Sequence, residues 1–176
     1  MYLKKTLSAL ALTTAIAAPS AQAYEYDFYG LLRLGLEAVS PDNNAGNFDD
    51  YIGFRDAYSR IGLKVTEKLN DSTTAMFQVE SPIDLANQGG HSPWSEQDTM
   101  RIFKLQLSGD WGTVWYGRGW MAYYNYIAYP VDYFSTYYSG WATYTTFRRE
   151  NTLYYSTPSI AGFQLALAST DDNGSI

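Results

Sequence analysis

The chain has 176 residues, a formal net charge of −6 and no cysteine, and its residues are 46% apolar and 17% aromatic. These values exclude a disulfide-stapled domain, a nucleic-acid-binding protein with a basic surface, and a disordered chain. No run of about 18 apolar residues is present, so a helical membrane protein is also excluded. The 17 tyrosines and 14 glycines instead suit an all-β protein.

Residues 1–23 are predicted to form a secretory signal peptide that is not part of the fold. Lys4 and Lys5 supply the positive start, residues 7–18 are apolar and rich in Ala, and Ala21-Gln22-Ala23 matches a small-x-small cleavage site. The alternative is a short membrane anchor, but an apolar run of about 12 residues is too short to span a bilayer. The mature, exported chain then begins at Tyr24.

After residue 23 the dominant pattern is alternation with period 2, which predicts β-strands. Seven strands are expected, at residues 28–37, 58–66, 74–80, 98–108, 112–118, 148–157 and 162–167. Turn residues predict tight connections at 69–72, 109–112 and 157–161, whereas the connections at 40–52, 83–97 and 119–147 are long. Short and long connections in alternation are typical of an up-and-down transmembrane β-barrel.

Two features of the strands leave alternatives open. A soluble β-sandwich would show the same alternation, although the signal peptide, the tyrosine content and the loop lengths favour the barrel. In the strand 98–108, Arg101 has the same parity as Phe103 and Leu105, whereas Lys104 has the opposite parity. Either a bulge changes the register of this strand, or Lys104 extends along a lipid-facing surface.

Four motifs, in order along the chain, resemble the Gram-negative general porin family. They are Tyr29-Gly30; Tyr58–Lys64 with Phe77–Ser81; Leu107–Val114 with Tyr116-Gly117-Arg118; and Arg148–Pro158 with Gly162-Phe163. The resemblance implies a 16-stranded antiparallel barrel in the outer membrane, usually a homotrimer in contact with membrane lipid and lipopolysaccharide. Residues 24–176 would be the N-terminal part of this barrel domain. The long loop at about 119–147 would fold inward and narrow the pore.

The resemblance also implies a set of pore-lining residues. Arg60, Arg101 and Arg148 match wall arginines of the family, and Arg33 shares the inward face of the first strand. The constriction loop would contribute Asp132, Tyr129, Tyr133 and Phe134; other lumen-facing residues would be Glu37, Lys64, Gln78, Glu80 and Glu150. A field between wall arginines and loop acids would select among polar solutes. Arg118 belongs to a recurrent Gly-Arg pair and is expected to be structural.

The loop 119–147 departs from the family because Asp132 is its single acidic residue and aromatic residues dominate it. Such a surface could stack on sugar rings, or it could pack the loop against the barrel wall. We expect a pore that prefers neutral or aromatic-compatible solutes to small cations.

Together these features predict a passive diffusion channel for small hydrophilic solutes, including ions and sugars, and not an enzyme. His91 is the single histidine, so a His-based metal cluster or triad is excluded, and no cofactor is implied. The alternatives are a secreted carbohydrate-binding β-sandwich and a small eight-stranded, adhesin-like barrel. Sixteen strands at this spacing would need about 350 residues. We therefore expect the N-terminal half of a porin, unable to form a pore by itself.

Overall fold

The computed structural model describes residues 24–40, 50–86, 100–131 and 147–171. The predicted signal peptide and His91 lie outside these residues. The described residues form nine strands: β1 (Glu25–Leu31), β2 (Leu34–Val39), β3 (Tyr51–Asp56), β4 (Arg60–Asn70), β5 (Thr73–Pro82), β6 (Ile102–Gly109), β7 (Gly112–Trp120), β8 (Arg148–Ser156) and β9 (Ala166–Thr170).

Seven of the strands form one antiparallel sheet in the order β1-β4-β5-β6-β7-β8-β9. The predicted all-β, antiparallel architecture is confirmed. Within the described residues the sheet is open, with β1 and β9 as its edges. Strands β2 and β3 pair only with each other in a separate two-stranded sheet.

The first predicted strand, 28–37, is in fact two strands, and β3 lies largely in a region without a predicted strand. The chain leaves the ladder at Arg33 because the backbone of that residue bonds to Ser59 and Ala57 instead. The Arg33 N–H donates to Ser59 Oγ at 2.8 Å, and the Arg33 carbonyl accepts from Ala57 N at 3.1 Å. Tyr58, beside these contacts, has a positive φ of 65°.

Two other strands start four residues later than predicted. Strand β6 begins at Ile102, not at residue 98, and β9 begins at Ala166, not at residue 162. Before β9, Ile160 and Phe163 exchange backbone hydrogen bonds of 2.9 and 3.0 Å around a turn that contains Gly162. Residues 162–165, which were predicted to begin this strand, therefore lie in and just after the turn and precede β9. The predicted tight turns between β4 and β5 and between β6 and β7 are confirmed.

The two faces of the large sheet differ in polarity, as the alternation predicts. One face exposes apolar side chains, and Phe28 on it is 80% exposed. The opposite face, called the inner face below, carries Gln78, Glu80 and Thr152, and Glu80 is only 5% exposed. Polar residues are thus covered while apolar residues are exposed, which is the reverse of a sheet that faces bulk water. This arrangement suits a sheet whose apolar face meets lipid.

After β7 the chain forms the loop segment, residues 121–131, which contains a π-helical turn (Tyr124–Ala128) and a 3-10 turn (Tyr129–Val131). The segment starts where Met121 N donates to the Phe147 carbonyl at 2.9 Å. The Tyr124 ring stacks on Trp120 at 4.1 Å between centroids. Farther along, the Tyr126 hydroxyl donates to Gln164 Oε1 at 2.7 Å. Among the described helices, none is long and apolar enough to cross a membrane.

Candidate functional site

Glu80 is the centre of a buried charged group on the inner face. The Arg101 guanidinium donates from Nε to Glu80 Oε1 at 2.6 Å, and the Tyr29 hydroxyl donates to Glu80 Oε2 at 3.0 Å. Arg60 Nε lies 3.9 Å from the same Oε2. Gln78 completes the group, since its amide nitrogen donates to the Tyr29 oxygen at 2.8 Å. One carboxylate is therefore shared by two guanidinium groups and a phenol.

Gly62 explains how Tyr29 reaches Glu80. Tyr29 in β1 pairs with Gly62 in β4, and Gly62 pairs with Glu80 in β5. The tyrosine ring crosses directly over the glycine, because a Cβ at Gly62 would lie 2.3 Å from Tyr29 Cζ. A residue without a side chain at this position therefore permits the Tyr29–Glu80 hydrogen bond.

Arg101 lies on the inner face, although it has the same parity as Phe103 on the opposite face. It precedes β6 and therefore does not follow the alternation of that strand. Its backbone N–H donates to the Glu80 carbonyl at 2.9 Å, and only the next residue, Ile102, enters the ladder. The register from Ile102 to Gly109 is then continuous. The register change considered for this strand thus occurs at its start. Lys104 lies on the inner face opposite Gln78, so of the two alternatives left open the structure has the register change and not the lipid-facing lysine.

A third arginine approaches through Trp120. The Arg148 guanidinium carbon lies 4.5 Å from the Trp120 ring centroid, and that of Arg101 lies 5.9 Å from it. We call Arg60, Arg101 and Arg148, with Glu80 and Trp120, the arginine cluster. Within the described part of the chain, Glu80 is the only carboxylate within 4.0 Å of any of these three guanidinium groups. The cluster therefore carries an excess of positive charge.

Beside the cluster, β7 and β8 are irregular. The register shifts between Gly117 and Gly119, and both Gly117 (φ 127°) and Asn151 (φ 48°) have left-handed backbones. Arg118 Nη1 donates to Glu150 Oε2 at 2.9 Å. A cavity of about 470 Å³ opens here; its lining residues are Arg118, Arg148, Arg149, Glu150, Thr170 and Asp171.

The other predicted wall residues are placed less uniformly. Arg33 lies in the break between β1 and β2, where its backbone bonds to Ser59. Glu37 lies in the β2–β3 pair, where its carboxylate accepts from Arg55 Nε at 2.6 Å. Glu37 is therefore bonded to Arg55 within the hairpin.

Lys64 and Glu150 form ion pairs outside the cluster. Lys64 Nζ lies 3.4 Å from Asp27 Oδ2. The Glu150 side chain is 67% exposed and pairs with Arg118. Of the predicted lumen-facing residues, Gln78 and Glu80 are hydrogen-bonded within the group around Glu80, and Lys64 Nζ lies 4.9 Å from the Tyr29 ring centroid.

The predicted constriction residues of the loop are only partly described. Tyr129 is 65% exposed, and its ring centroid lies 6.0 Å from that of Tyr124. Asp132, Tyr133 and Phe134 lie outside the described residues. Tyr124 packs between Trp120 and Phe147, which supports the packing interpretation for that ring.

Three residues were missing from the predicted site. Tyr29 enters the sequence analysis only as part of the Tyr29-Gly30 motif, although Gly62 across the sheet is the signal that its ring could reach Glu80. Trp120 was not distinguished from the other loop aromatics. Lys104 was left undecided because no sequence signal shows where β6 begins. Among the described residues, no group of three His, Asp or Glu side chains could hold a metal ion.

Comparison with known proteins gives consistent matches. A family model described as Gram-negative porin matches residues 6–176. The chain is 28% identical, over 190 aligned positions, to an outer membrane porin protein of Bordetella pertussis, a match that covers 94% of this chain and 47% of that protein. It is 31% identical over 120 positions to the major outer membrane protein P.IB of Neisseria meningitidis serogroup A, covering 66% and 34% respectively.

Two solved structures show the same fold. The anion-selective porin from Comamonas acidovorans has a TM-score of 0.66 and 22% identity, with 85% of this chain and 47% of that chain covered. OmpT of Vibrio cholerae, in its trimer form, has a TM-score of 0.60 and 21% identity, with 86% and 42% covered. The chain therefore spans about half, or less, of the length of the proteins it matches.

Proposed function

Because the chain belongs to the Gram-negative porin family, we propose that it forms part of an outer-membrane channel through which small hydrophilic solutes diffuse passively, with a preference for anions. The family match supports a channel rather than an enzyme. The exposed apolar face of the sheet supports contact with lipid, because those side chains would otherwise meet water.

The arginine cluster is the observation that carries the preference for anions. Three guanidinium groups stay charged at any working pH, and among the described residues a single carboxylate, that of Glu80, lies between them. In a narrow passage with walls of low dielectric constant, such an excess attracts anions and repels cations. One structural relative is described as an anion-selective porin, which agrees with this proposal. The proposal replaces neutral or aromatic-compatible solutes by anions as the favoured class, and it keeps small cations as the class that is disfavoured.

The loop segment supports an inward constriction formed by residues 119–147. Its base is packed by the Trp120–Tyr124 stack, and its far part is tied to Gln164 through Tyr126. Gln164 lies in the turn between β8 and β9, at the opposite end of β8 from Arg148. Contacts at Trp120 and Tyr126 thus link the segment to the start of β8 and to the turn that follows β8. In this proposal Asp132, Tyr133 and Phe134, together with Tyr129, complete the narrow part of the pore.

The proposed partners of the complete protein are membrane lipid, lipopolysaccharide and two further copies of the chain. The apolar side chains exposed on β1 to β3, among them Phe28 and Phe54, are candidates for these contacts. One structural relative is described in a trimer form.

Liposome swelling and planar-bilayer recordings test the channel directly. The protein expressed from its complete reading frame is expected to admit small sugars and carboxylates into liposomes and to give stepwise conductance. If it remains soluble without detergent and gives neither swelling nor conductance, the proposal is wrong. That result would favour the secreted carbohydrate-binding alternative.

A further inference from the structure

Lys104 stands in a row of polar residues beside the arginine cluster. Lys64, Gln78 and Lys104 lie directly opposite one another on β4, β5 and β6. The neighbouring row on the inner face contains Glu80. Because a strand rises about 3.4 Å per residue, the two rows are about 7 Å apart. Lys104 is therefore displaced from the cluster toward the tight turn between β6 and β7.

The positive charge of Lys104 is not neutralised by a carboxylate. Within the described part of the chain, no Asp or Glu oxygen lies within 4.0 Å of its Nζ, whereas Lys64 in the same row pairs with Asp27 at 3.4 Å. On the neighbouring strand, the Gln78 amide nitrogen donates a hydrogen bond to the Tyr29 oxygen. Lys64, the nearest charged residue of the row, is also a cation. A half-buried ammonium in such surroundings gains from an external anion.

The Lys104 ammonium is held in position by its neighbours. Nζ donates to Gln106 Oε1 at 2.9 Å and lies 5.6 Å from the Trp115 ring centroid. The Gln106 amide in turn donates to Ser108 Oγ at 3.0 Å. An ammonium has three N–H donors, and the recorded hydrogen bond uses one of them. Two donors therefore remain available to an oxyanion.

We propose that Lys104 is a second anion-contacting residue of the channel, which binds the carboxylate or phosphate of a solute on the turn side of the arginine cluster. The inference rests on the proposed channel function. An anion that leaves the cluster would meet Lys104 about 7 Å farther along the wall. With two positive sites in series, an anion could move from the arginine cluster to Lys104 in steps. Cations would be repelled at each site.

Cysteine labelling tests this inference, because the chain itself contains no cysteine. Met76 lies on the inner face diagonally opposite Lys104, since Gln78 pairs with Lys104 and Met76 pairs with Gln106. In the protein inserted into lipid vesicles, Met76→Cys serves as the reporter. Its reaction rates with an anionic and a cationic methanethiosulfonate reagent give a rate ratio that measures the local potential. Leu105→Cys, on the exposed apolar face, is the control for lipid exposure and is expected not to react.

At low ionic strength, substituting Lys104 by Gln is expected to lower the anionic-to-cationic rate ratio at Met76→Cys about sevenfold. One unit charge across about 7 Å of water changes each rate about 2.7-fold, and the two rates change in opposite directions. Lys104→Arg should preserve the ratio. This result would show that the loss of charge, and not a change in folding, lowers the ratio in Lys104→Gln. Lys64→Gln should change it less, because the Lys64 ammonium is directed toward Asp27 on β1, away from Met76 on β5. Acetate and inorganic phosphate, tested separately, should each slow the anionic reagent only when Lys104 is present.

The outcomes separate the inference from the proposed function. If Met76→Cys reacts with neither reagent, the inner face is not accessible to water and the channel itself is refuted. If it reacts but Lys104→Gln leaves the rate ratio unchanged, the channel stands and the role of Lys104 is refuted. If acetate slows labelling and phosphate does not, the site is assigned to carboxylates; the opposite result assigns it to phosphates.

Discussion

Arg101 and Glu80 are joined twice: Arg101 Nε donates to Glu80 Oε1 at 2.6 Å, and Arg101 N donates to the Glu80 carbonyl at 2.9 Å. It is the most buried ion pair in the described part of the chain, with side chains only 10% and 6% exposed. This pairing uses one oxygen of the Glu80 carboxylate. Arg60 is left at 3.9 Å from the other oxygen, which Tyr29 also occupies.

Glu80→Gln is expected to lower the free energy of unfolding by about 3 kcal/mol. The substitution leaves the Arg101 guanidinium buried without an ionic partner, which is costly where water is excluded. Urea unfolding in detergent, followed by tryptophan fluorescence, measures the change. Glu150→Gln is the matched control, because the Glu150 side chain is 67% exposed and its pair with Arg118 is expected to contribute less than about 1 kcal/mol. Equal losses in the two variants would contradict the central position of Glu80.

Gly62→Ala is expected to displace the Tyr29 ring and to lower stability by about 1–3 kcal/mol. An added Cβ would lie 2.3 Å from Tyr29 Cζ, a contact that only movement of the ring can relieve. Gly35→Ala is the control, since the nearest atom, Arg55 O, lies 3.8 Å from the added Cβ. Thermal unfolding of both variants in detergent measures the difference.

A double variant sharpens this prediction. If the clash with the Tyr29 ring is the cause, Gly62→Ala should cost much less in a protein that already carries Tyr29→Ala. An unchanged cost in that background would assign the effect to the β4 backbone instead.

Ser59→Ala is expected to loosen the junction between the large sheet and the β2–β3 hairpin. The side chain is fully buried; it accepts from Arg33 N at 2.8 Å and donates to Arg33 O at 3.2 Å. Removal of the hydroxyl leaves buried backbone groups with fewer partners, at a cost of about 1–3 kcal/mol. Hydrogen exchange of Arg33 should become faster, whereas Ser40→Ala, at an exposed serine, should leave it unchanged.

Tyr126→Phe is expected to loosen the loop segment without unfolding the sheet. The substitution removes the 2.7 Å hydrogen bond to Gln164, a loss of about 1 kcal/mol. Hydrogen exchange across residues 121–131 should accelerate, and the open-channel current should become noisier. Tyr129→Phe is the control at a 65% exposed ring of the same segment. A quiet current and unchanged exchange in Tyr126→Phe would show that another contact holds the segment.

Much of the large sheet could be predicted from sequence, because period-2 alternation directly reports which strand face is apolar. Turn residues such as Asn70 and Gly112 also place the short connections correctly. The hairpin β2–β3 could not be predicted. Its separation from the large sheet depends on the hydrogen bonds of Ser59 with Arg33, which are contacts between residues 26 positions apart.

The candidate site was predictable only in part, for a similar reason. The alternation predicts Arg60 and Glu80 on the polar faces of their strands, but it does not predict that they approach each other. The face on which Arg101 lies depends on the residue at which β6 begins. A shift of one residue in a strand moves every side chain to the opposite face. Alternation alone could therefore not decide where Lys104 points. The Tyr29–Glu80 hydrogen bond passes over β4, the strand between β1 and β5, and it depends on Gly62 in that strand.

The preference of the arginine cluster for anions can be measured as the zero-current potential of the complete protein in a planar bilayer across a tenfold KCl gradient. We expect a potential whose sign reports that chloride is more permeant than potassium. This potential should shift toward zero when Arg60, Arg101 and Arg148 are each replaced by Gln, but not when Arg55 is. A potential of the opposite sign in the unmodified protein would show that potassium is preferred, and it would contradict the role assigned to the arginine cluster.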